Sequence, residues 1–297
     1  MSAAVAPAAR AGRSGEPAPR RRSNGTILYV MAGVLVVVVF VVPLLWAVFR
    51  SFQPSDLVTA YPTWKDFSHL TFSNYSGIFG GDIHLWRYVA NSLMVALGTG
   101  VLVTVVATLA GYGLARFRFR GSNLVFALIL VTFMVPFQAV LTPLFIELGA
   151  FGLTDSRFGL ILFYTTFNLP FGVFVMRNTF LAVPTQLEDS ARMDGAGTLR
   201  VLVLVLRPLV VPGAATTMLY AFLAAWTEFL GALTFLTKAN LLTLPVGLYN
   251  LEAGNFGELN YGYLMAGAVV SMVPCVVLFI ALQRYYVQGL TSGALKG

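Results

Sequence analysis

The stretch "LEDSARMDGAG", residues 187–197, carries Glu188, Asp189, Arg192 and Asp194 within seven positions, in a chain of 297 residues of which only 10% are charged. Side chains of these types can move protons, ligate a metal or dock on a charged surface, and the rest of the chain narrows the choice. No Gly-x-Ser-x-Gly or His-Glu-x-x-His pattern occurs. None of the three lysines lies in a Gly-x-x-x-x-Gly-Lys-Ser/Thr phosphate loop, so the chain is not expected to hydrolyse ATP itself. His69 and His84 lack the tight spacing of metal ligands and read as surface polar groups. The single Cys275 permits neither an intrachain disulfide nor a cysteine cluster, so its expected role is packing. Docking is the use that remains for the charged stretch.

The elements that must position it follow from composition. A hydrophobic fraction of 58% and a mean hydropathy of +0.79 exceed what an ordinary globular chain carries. About 20 helical residues cross a hydrocarbon core of ~30 Å. Reading between charges gives six such runs, at 27–49, 88–115, 122–146, 158–176, 208–227 (with a further apolar stretch to 237) and 259–283. Stretches such as "VLVVVVFVVPLLW" do not alternate polar with apolar, which excludes the strands of a membrane barrel. The fold class is therefore all-α integral membrane, with six transmembrane helices. Residues 239–251, "ANLLTLPVGLYNL", are too short to span and are interrupted by Pro245, so an interfacial or re-entrant segment is expected there.

Six spans leave both termini on one side, together with the loops at 116–121 and 177–207. That side holds fourteen Lys and Arg residues against five on the other, which places both termini in the cytoplasm of a multi-pass protein of the inner or plasma membrane. The formal charge of +7 is thereby explained without nucleic acid. Residues 1–24, rich in Ala, Pro, Arg, Ser and Gly, read as a disordered cytoplasmic tail. The run at 27–49 is longer than a signal-peptide core and lacks a small-x-small cleavage site, so it reads as a retained first span. The membrane domain then covers 25–287, and 288–297 form a cytoplasmic C-terminal tail.

Within the loop 184–207, between spans 4 and 5, Pro184 permits a helix start. Thr185 and Glu188 have the spacing of a capping box, and both acids of the first turn oppose the helix dipole. A short helix over 186–194 is expected. Gly195 would end it in the left-handed conformation, and Thr198 would cap a second helix running toward Pro208. Ser190, Ala191 and Gly195 form a small face suited to insertion into a groove on a partner. The first helix is too acidic and too narrow in its apolar face to suit an anionic membrane surface. A carrier that couples ions by itself commonly keeps an ionisable group at mid-membrane, whereas Glu147 and Glu228 fall near outer ends of spans. The energy source is thus expected outside this chain.

Residues 189–196, "DSARMDGA", resemble the cytoplasmic signature Glu-Ala-Ala-x-x-Asp-Gly-Ala of ABC importer permeases, and Pro208 stands at that signature's proline, 19 positions after its first acid. Asp189 replaces the usual Glu and Ser190 the usual Ala, preserving charge sign and small size. "NSLMVAL" at 91–97, "YGLARFRFRG" at 112–121, "LPFGVFVMRNTF" at 169–180, "LPVGLYNL" at 244–251 and the ending "QRYYVQGLTSGALKG" are similar to landmarks of the smaller permease subunit of maltose-type carbohydrate importers.

The resemblance implies a coupling helix–turn–helix made of Glu188, Asp189, Ser190, Ala191, Arg192, Asp194 and Gly195. It also implies a C-terminal contact to the ATPase through Gly289, Leu290, Thr291 and Lys296. The implied partners are a second, homologous permease, two cytoplasmic ATPase subunits that bind ATP and Mg, an extracytoplasmic sugar-binding protein or lipoprotein, and membrane lipids. No cofactor is implied in this chain. Asn91, Asn168, Thr227 and Glu228 are polar groups in or near spans and are the candidates for the substrate pathway, although helix–helix hydrogen bonding is the commoner use of such groups. The function so implied is that of a permease subunit for a di- or oligosaccharide. The alternatives are a permease of the same build for glycerol phosphate or another small solute, and an ion-coupled carrier acting alone. No basic group lies within the spans, which leans toward a neutral solute.

Overall fold

Long runs of Val, Leu, Phe and Ala have no water to satisfy their peptide groups inside a bilayer, so they must bond internally as helix. In the computed structural model, which describes residues 24–59, 61, 69–80, 83–254 and 259–294 (side chains of 24–27 and 284–294 excepted), the described chain is helical, without strands. Helix α1 covers Asn24–Ser51, and α2 (Ser55–Val58) and α3 (Ser73–Gly80) are short connectors. Then come α4 (Leu85–Arg116), α5 (Ser122–Thr132), α6 (Phe137–Ala150) and α7 (Arg157–Ala182). The tail predicted over 1–24 lies, but for Asn24, outside the described residues, as does Lys296.

After α7 the chain forms α8 (Gln186–Met193) and α9 (Thr198–Arg200), which continues through a π-helical stretch, Val201–Leu206, into α10 (Arg207–Thr227). It ends with α11 (Leu230–Phe235), α12 (Leu244–Glu252) and α13 (Tyr261–Ala294). Contacts divide the chain into two units, Met1–Trp46 and Ala47–Gly297. The first contains most of α1, which is apolar all round, as suits a lipid-embedded span.

Five described helices are long and apolar enough to cross a membrane, and the α5–α6 pair makes a sixth if counted as one bent span. The run at 122–146 is thus not the continuous helix expected from its composition: α5 and α6 meet at 97°. Pro136 is the cause. It has no N–H to donate, and its ring disfavours helical backbone at Val135. The chain tightens just before it, with the N–H groups of Phe133, Met134 and Val135 donating three residues back at 3.1, 3.0 and 3.2 Å.

The second loop helix and the fifth span, expected as a helix capped at Thr198 and a span beginning at Pro208, form one unbroken run, Thr198–Thr227. Pro208 cannot donate to the Leu204 carbonyl, and the helix widens to π geometry over Val201–Leu206. Gly197, with extended backbone, precedes the helix, so Thr198 is its first residue and not its cap. The span stops at Thr227 without continuing to 237, since Glu228 turns extended at φ −71°, ψ 131°.

Helices α4, α7 and α10 pack on one another, and α13 packs on α10. Glycines allow this approach: a Cβ at Gly172 would lie 3.0 Å from both Ala107 and Thr217, and one at Gly111 would lie 2.8 Å from the Arg177 backbone nitrogen. One apolar cluster centres on Phe163, Trp226 and Phe235. A second, with Tyr112, Met176, Phe180 and Val201, lies beneath α8. The segment read as interfacial or re-entrant forms α12, tied to α4 at its entry. Asn91 Nδ2 donates to the carbonyls of Asn240 and Leu242 at 3.0 and 2.9 Å, and the Leu244 N–H donates to Ser92 Oγ at 2.7 Å.

Candidate functional site

The charged stretch folds as an elbow. Gly195 adopts φ +84°, a region that resists a Cβ, and closes α8. The Ala196 N–H donates to the Ala191 carbonyl at 3.0 Å and the Gly195 N–H to the Arg192 carbonyl at 2.9 Å, the paired bonds of a Schellman ending. The chain then reverses through Gly197 into α9 and, without a break, into α10. One end of the elbow is therefore continuous with a span.

The other end is tied by Glu188, and here the capping box does not form. Thr185 has helical backbone (φ −65°, ψ −26°) and its side chain makes no cap bond. The Glu188 carboxylate instead turns inward, 3% of the residue being exposed. Arg116, the last residue of α4, donates from Nε to Glu188 Oε1 and from Nη2 to the Val183 carbonyl at 2.9 Å. Tyr112 Oη donates to Glu188 Oε2 at 3.3 Å, and Arg192 reaches the same oxygen at 3.9 Å. A carboxylate this buried needs such partners, because an unpaired charge would be costly in so dry a place. Glu188 accordingly contributes to holding the elbow and not to its exposed face.

That face carries the other residues singled out. Asp189, Ser190, Arg192, Asp194 and Gly195 are exposed, while Ala191 is half-buried against the cluster beneath. Ser190 Oγ donates to the Gln186 carbonyl at 2.9 Å, which occupies its hydrogen. Sequence reasoning missed two apolar members: Met193 is 89% exposed and Leu199 71%. Isolated exposed apolar residues mean little. Met193, however, follows Asp189 by one helical turn and directly precedes Asp194, so an exposed apolar side chain stands among two exposed carboxylates, a composition that suits a protein contact. Gly289, Leu290 and Thr291 fall in the last turns of α13, whose side chains are not described.

A second feature lies within the spans. The broken stretch between α5 and α6 lines a cavity of about 320 Å³ together with α7 and α10. Its walls include Phe133, Phe137, Tyr164, Phe167, Tyr220 and the polar Asn168 and Glu228, with no cationic side chain. Non-helical backbone at membrane depth is tolerated where it borders such a cavity. An interrupted apolar segment is itself a sequence pointer to a transport pathway, and Pro136 offered that signal. Asn168 Nδ2 donates to the Tyr164 carbonyl at 2.7 Å. The Glu228 carboxylate accepts from Tyr164 Oη and from the N–H groups of Gly231 and Ala232, which caps α11.

Of the four pathway candidates, Asn168 and Glu228 border the cavity and the other two do not. Asn91 is spent on the entry to α12, as described. Thr227 faces outward, its hydroxyl donating to the Leu223 carbonyl at 2.9 Å. At the ends of the spans remote from the elbow in sequence, Asp155 joins the α6–α7 loop to the turn after α11. Its carboxylate accepts from the Thr237 N–H at 2.6 Å, the Thr237 hydroxyl at 2.7 Å and the Lys238 N–H at 3.2 Å. The Thr237 bonds, with a smaller contribution from Lys238, hold the Asp155 carboxyl below its usual range.

Comparison with known proteins places these features in context. Residues 105–292 match the family model described as binding-protein-dependent transport system inner membrane component. The chain is 37% identical over 267 residues to the trehalose transport system permease protein SugB of Mycobacterium tuberculosis, covering 89% of this chain and 95% of that protein. It is 35% identical to the arabinooligosaccharides transport system permease protein AraQ of Bacillus subtilis, over 77% of this chain and 80% of the other. Its fold is similar to that of a chain in the crystal structure of a bacterial ABC transporter involved in the import of the acidic polysaccharide alginate. The TM-score is 0.73 at 23% identity, covering 90% of this chain and 100% of that one.

Proposed function

Because the chain belongs to the family of binding-protein-dependent transport system inner membrane components, we propose that it is a permease subunit of an ATP-driven carbohydrate importer. It is a multi-pass membrane protein and a transport subunit, not an enzyme. Both termini and the elbow face the cytoplasm, in keeping with the distribution of Lys and Arg. A second, homologous permease completes the pathway. Two ATPase subunits hold ATP and Mg, and a sugar-binding protein delivers solute to the opposite face.

The elbow seats its exposed face, Asp189, Met193, Asp194 and Leu199, on an ATPase subunit. Closure of the ATPase pair displaces α8, and two connections carry that displacement inward. Arg116 and Glu188 convey it to α4, and the continuous α9–α10 helix conveys it to the fifth span. ATP binding energy thereby shifts the spans between two packings, one open to each side.

The observation that carries the carbohydrate reading is the cavity beside the broken span. Its five rings offer stacking faces, Asn168 and Glu228 offer hydrogen bonds, and no cationic group is present to hold a phosphate. The test is uptake into proteoliposomes of disaccharides and glycerol phosphate in parallel, with and without the partner subunits and ATP. ATP-dependent disaccharide uptake by the full assembly alone is the expected result. Uptake of glycerol phosphate with no disaccharide uptake would remove the carbohydrate reading, and ATP-independent uptake by the single chain would remove the coupling reading as well.

A further inference from the structure

The connection between α4 and α5 shapes a second cavity, of about 650 Å³, that neither the elbow nor the pathway uses. Four arginines border it, Arg116, Arg118, Arg120 and Arg177, and no carboxylate does. Arg116 is already matched by Glu188, but among the described residues no acid pairs with the other three. Arg177 comes from α7 and stands over the Phe126 ring, its guanidinium carbon 4.2 Å from the centroid. Its Nε is shut off from solvent and has no hydrogen-bond partner. Gly121, at φ +88°, turns the chain so that α5 begins at the cavity wall with no side-chain cap on its N-terminus. Three arginines without an acidic partner and a helix end of positive polarity thus border one cavity.

The surroundings identify the kind of anion. The apolar run of α4 ends at Arg116, and a cluster of arginines directly after a span is the pattern of a cytoplasmic flank beside the headgroups. Arginines in this loop alternate with Phe117 and Phe119, which are 53% and 47% exposed and set apolar surface beside the cationic groups. Leu181 on the cavity wall and Leu124 and Leu128 on the adjoining turns of α5 present an exposed apolar strip beside the basic space. A free phosphate has no use for that strip, whereas acyl chains do. Topology signalling alone requires basic residues near span ends, not their grouping around one cavity with an Arg177 whose Nε is shut off from solvent and unbonded. The geometry points to a bound anionic phospholipid, its phosphodiester held by Arg118, Arg120 and Arg177 and its chains lying along α5. The assignment depends on the membrane placement of α4 and not on which solute is carried.

The full transporter, purified in neutral detergent, would be titrated with phosphatidylglycerol, phosphatidylcholine or inorganic phosphate while thermal unfolding is followed. Phosphatidylglycerol should raise the Tm by a few degrees and the other two should not, since a ligand specific for the folded state stabilises it. Arg118→Gln/Arg177→Gln should lose most of that shift, Arg118→Lys/Arg177→Lys should keep most of it, and Arg200→Gln/Arg207→Gln, which removes equal charge elsewhere, should keep it all. An undiminished shift in Arg118→Gln/Arg177→Gln would overturn the site. An equal shift with inorganic phosphate would reduce it to a free-anion site. Loss of the ATPase subunits from that variant, with its lipid response intact, would assign the arginines to a protein contact.

Discussion

Arg116 and Glu188 stand 72 positions apart and form an ion pair whose side chains are 8% and 4% exposed, joining the end of α4 to the first turn of α8. Removing one member of a buried pair leaves the other charged and without its partner, at a cost of about 3–5 kcal/mol. Arg116→Ala should therefore lower the Tm of the solubilised protein by several degrees, and the swapped pair Arg116→Glu/Glu188→Arg should recover part of the loss. Tyr112→Phe, which deletes a 3.3 Å bond, should cost only about 1 kcal/mol. Equal Tm values for Arg116→Ala and the unaltered protein would show that the pair holds nothing.

Gly195 sits at φ +84° with open space where a Cβ would project, so the penalty for a side chain there is backbone strain and not collision. Gly195→Val should cost about 1–2 kcal/mol and Gly195→Asn less. Hydrogen–deuterium exchange over the α8–α9 turn should accelerate in the valine variant while exchange in α4 and α7 stays unchanged.

Asp155 supplies the pH-sensitive contact. Its carboxyl titrates below the usual value of 3.8 because Thr237 bonds the ionised form. A depressed pKa means that the contact is fully present above the unfolded value and is lost as pH falls through the folded one. A spin label on Lys238→Cys, in a Cys275→Ser background, should stay immobile down to about pH 4 and become mobile below it. In Asp155→Asn the label should be more mobile throughout, and a transition that survives in that variant would assign the titration elsewhere.

The cavity separates the polar candidates by function. Asn168→Ala and Tyr220→Ala should raise the KM for transport several-fold with the assembly intact, because both groups border the space. Thr227→Ala should leave transport unchanged, its hydroxyl being bonded within its own helix on an exposed face. Asn91→Ala should instead loosen α12, detectable as faster exchange over 240–246, because two carbonyls there lose their donor.

What could be read from the sequence was what local chemistry dictates. Uninterrupted apolar length located the spans, and the glycine after "SARMD" marked the end of α8. Pro136 was equally local, yet nothing beside it in the sequence distinguishes it from Pro170 or Pro212, which lie inside unbroken helices, so composition absorbed it into a continuous run. Glu188 misled for the opposite reason. Its spacing from Thr185 satisfies a capping box, but the residue that claims its carboxylate lies at the end of a helix far away in the chain. Met193 and Leu199 carry no periodic signal at all, and only the structure shows how far the elbow exposes them.

The coupling claim rests on the exposed face of the elbow, and ATP-driven sugar uptake by the reconstituted assembly with Asp189→Lys/Asp194→Lys or Met193→Asp tests it most directly. Met193 is almost fully exposed, so its replacement should change the stability by no more than about 0.5 kcal/mol. Both variants should fold normally, lose co-purifying ATPase and lose uptake. Full ATP-driven uptake by either variant would contradict the account.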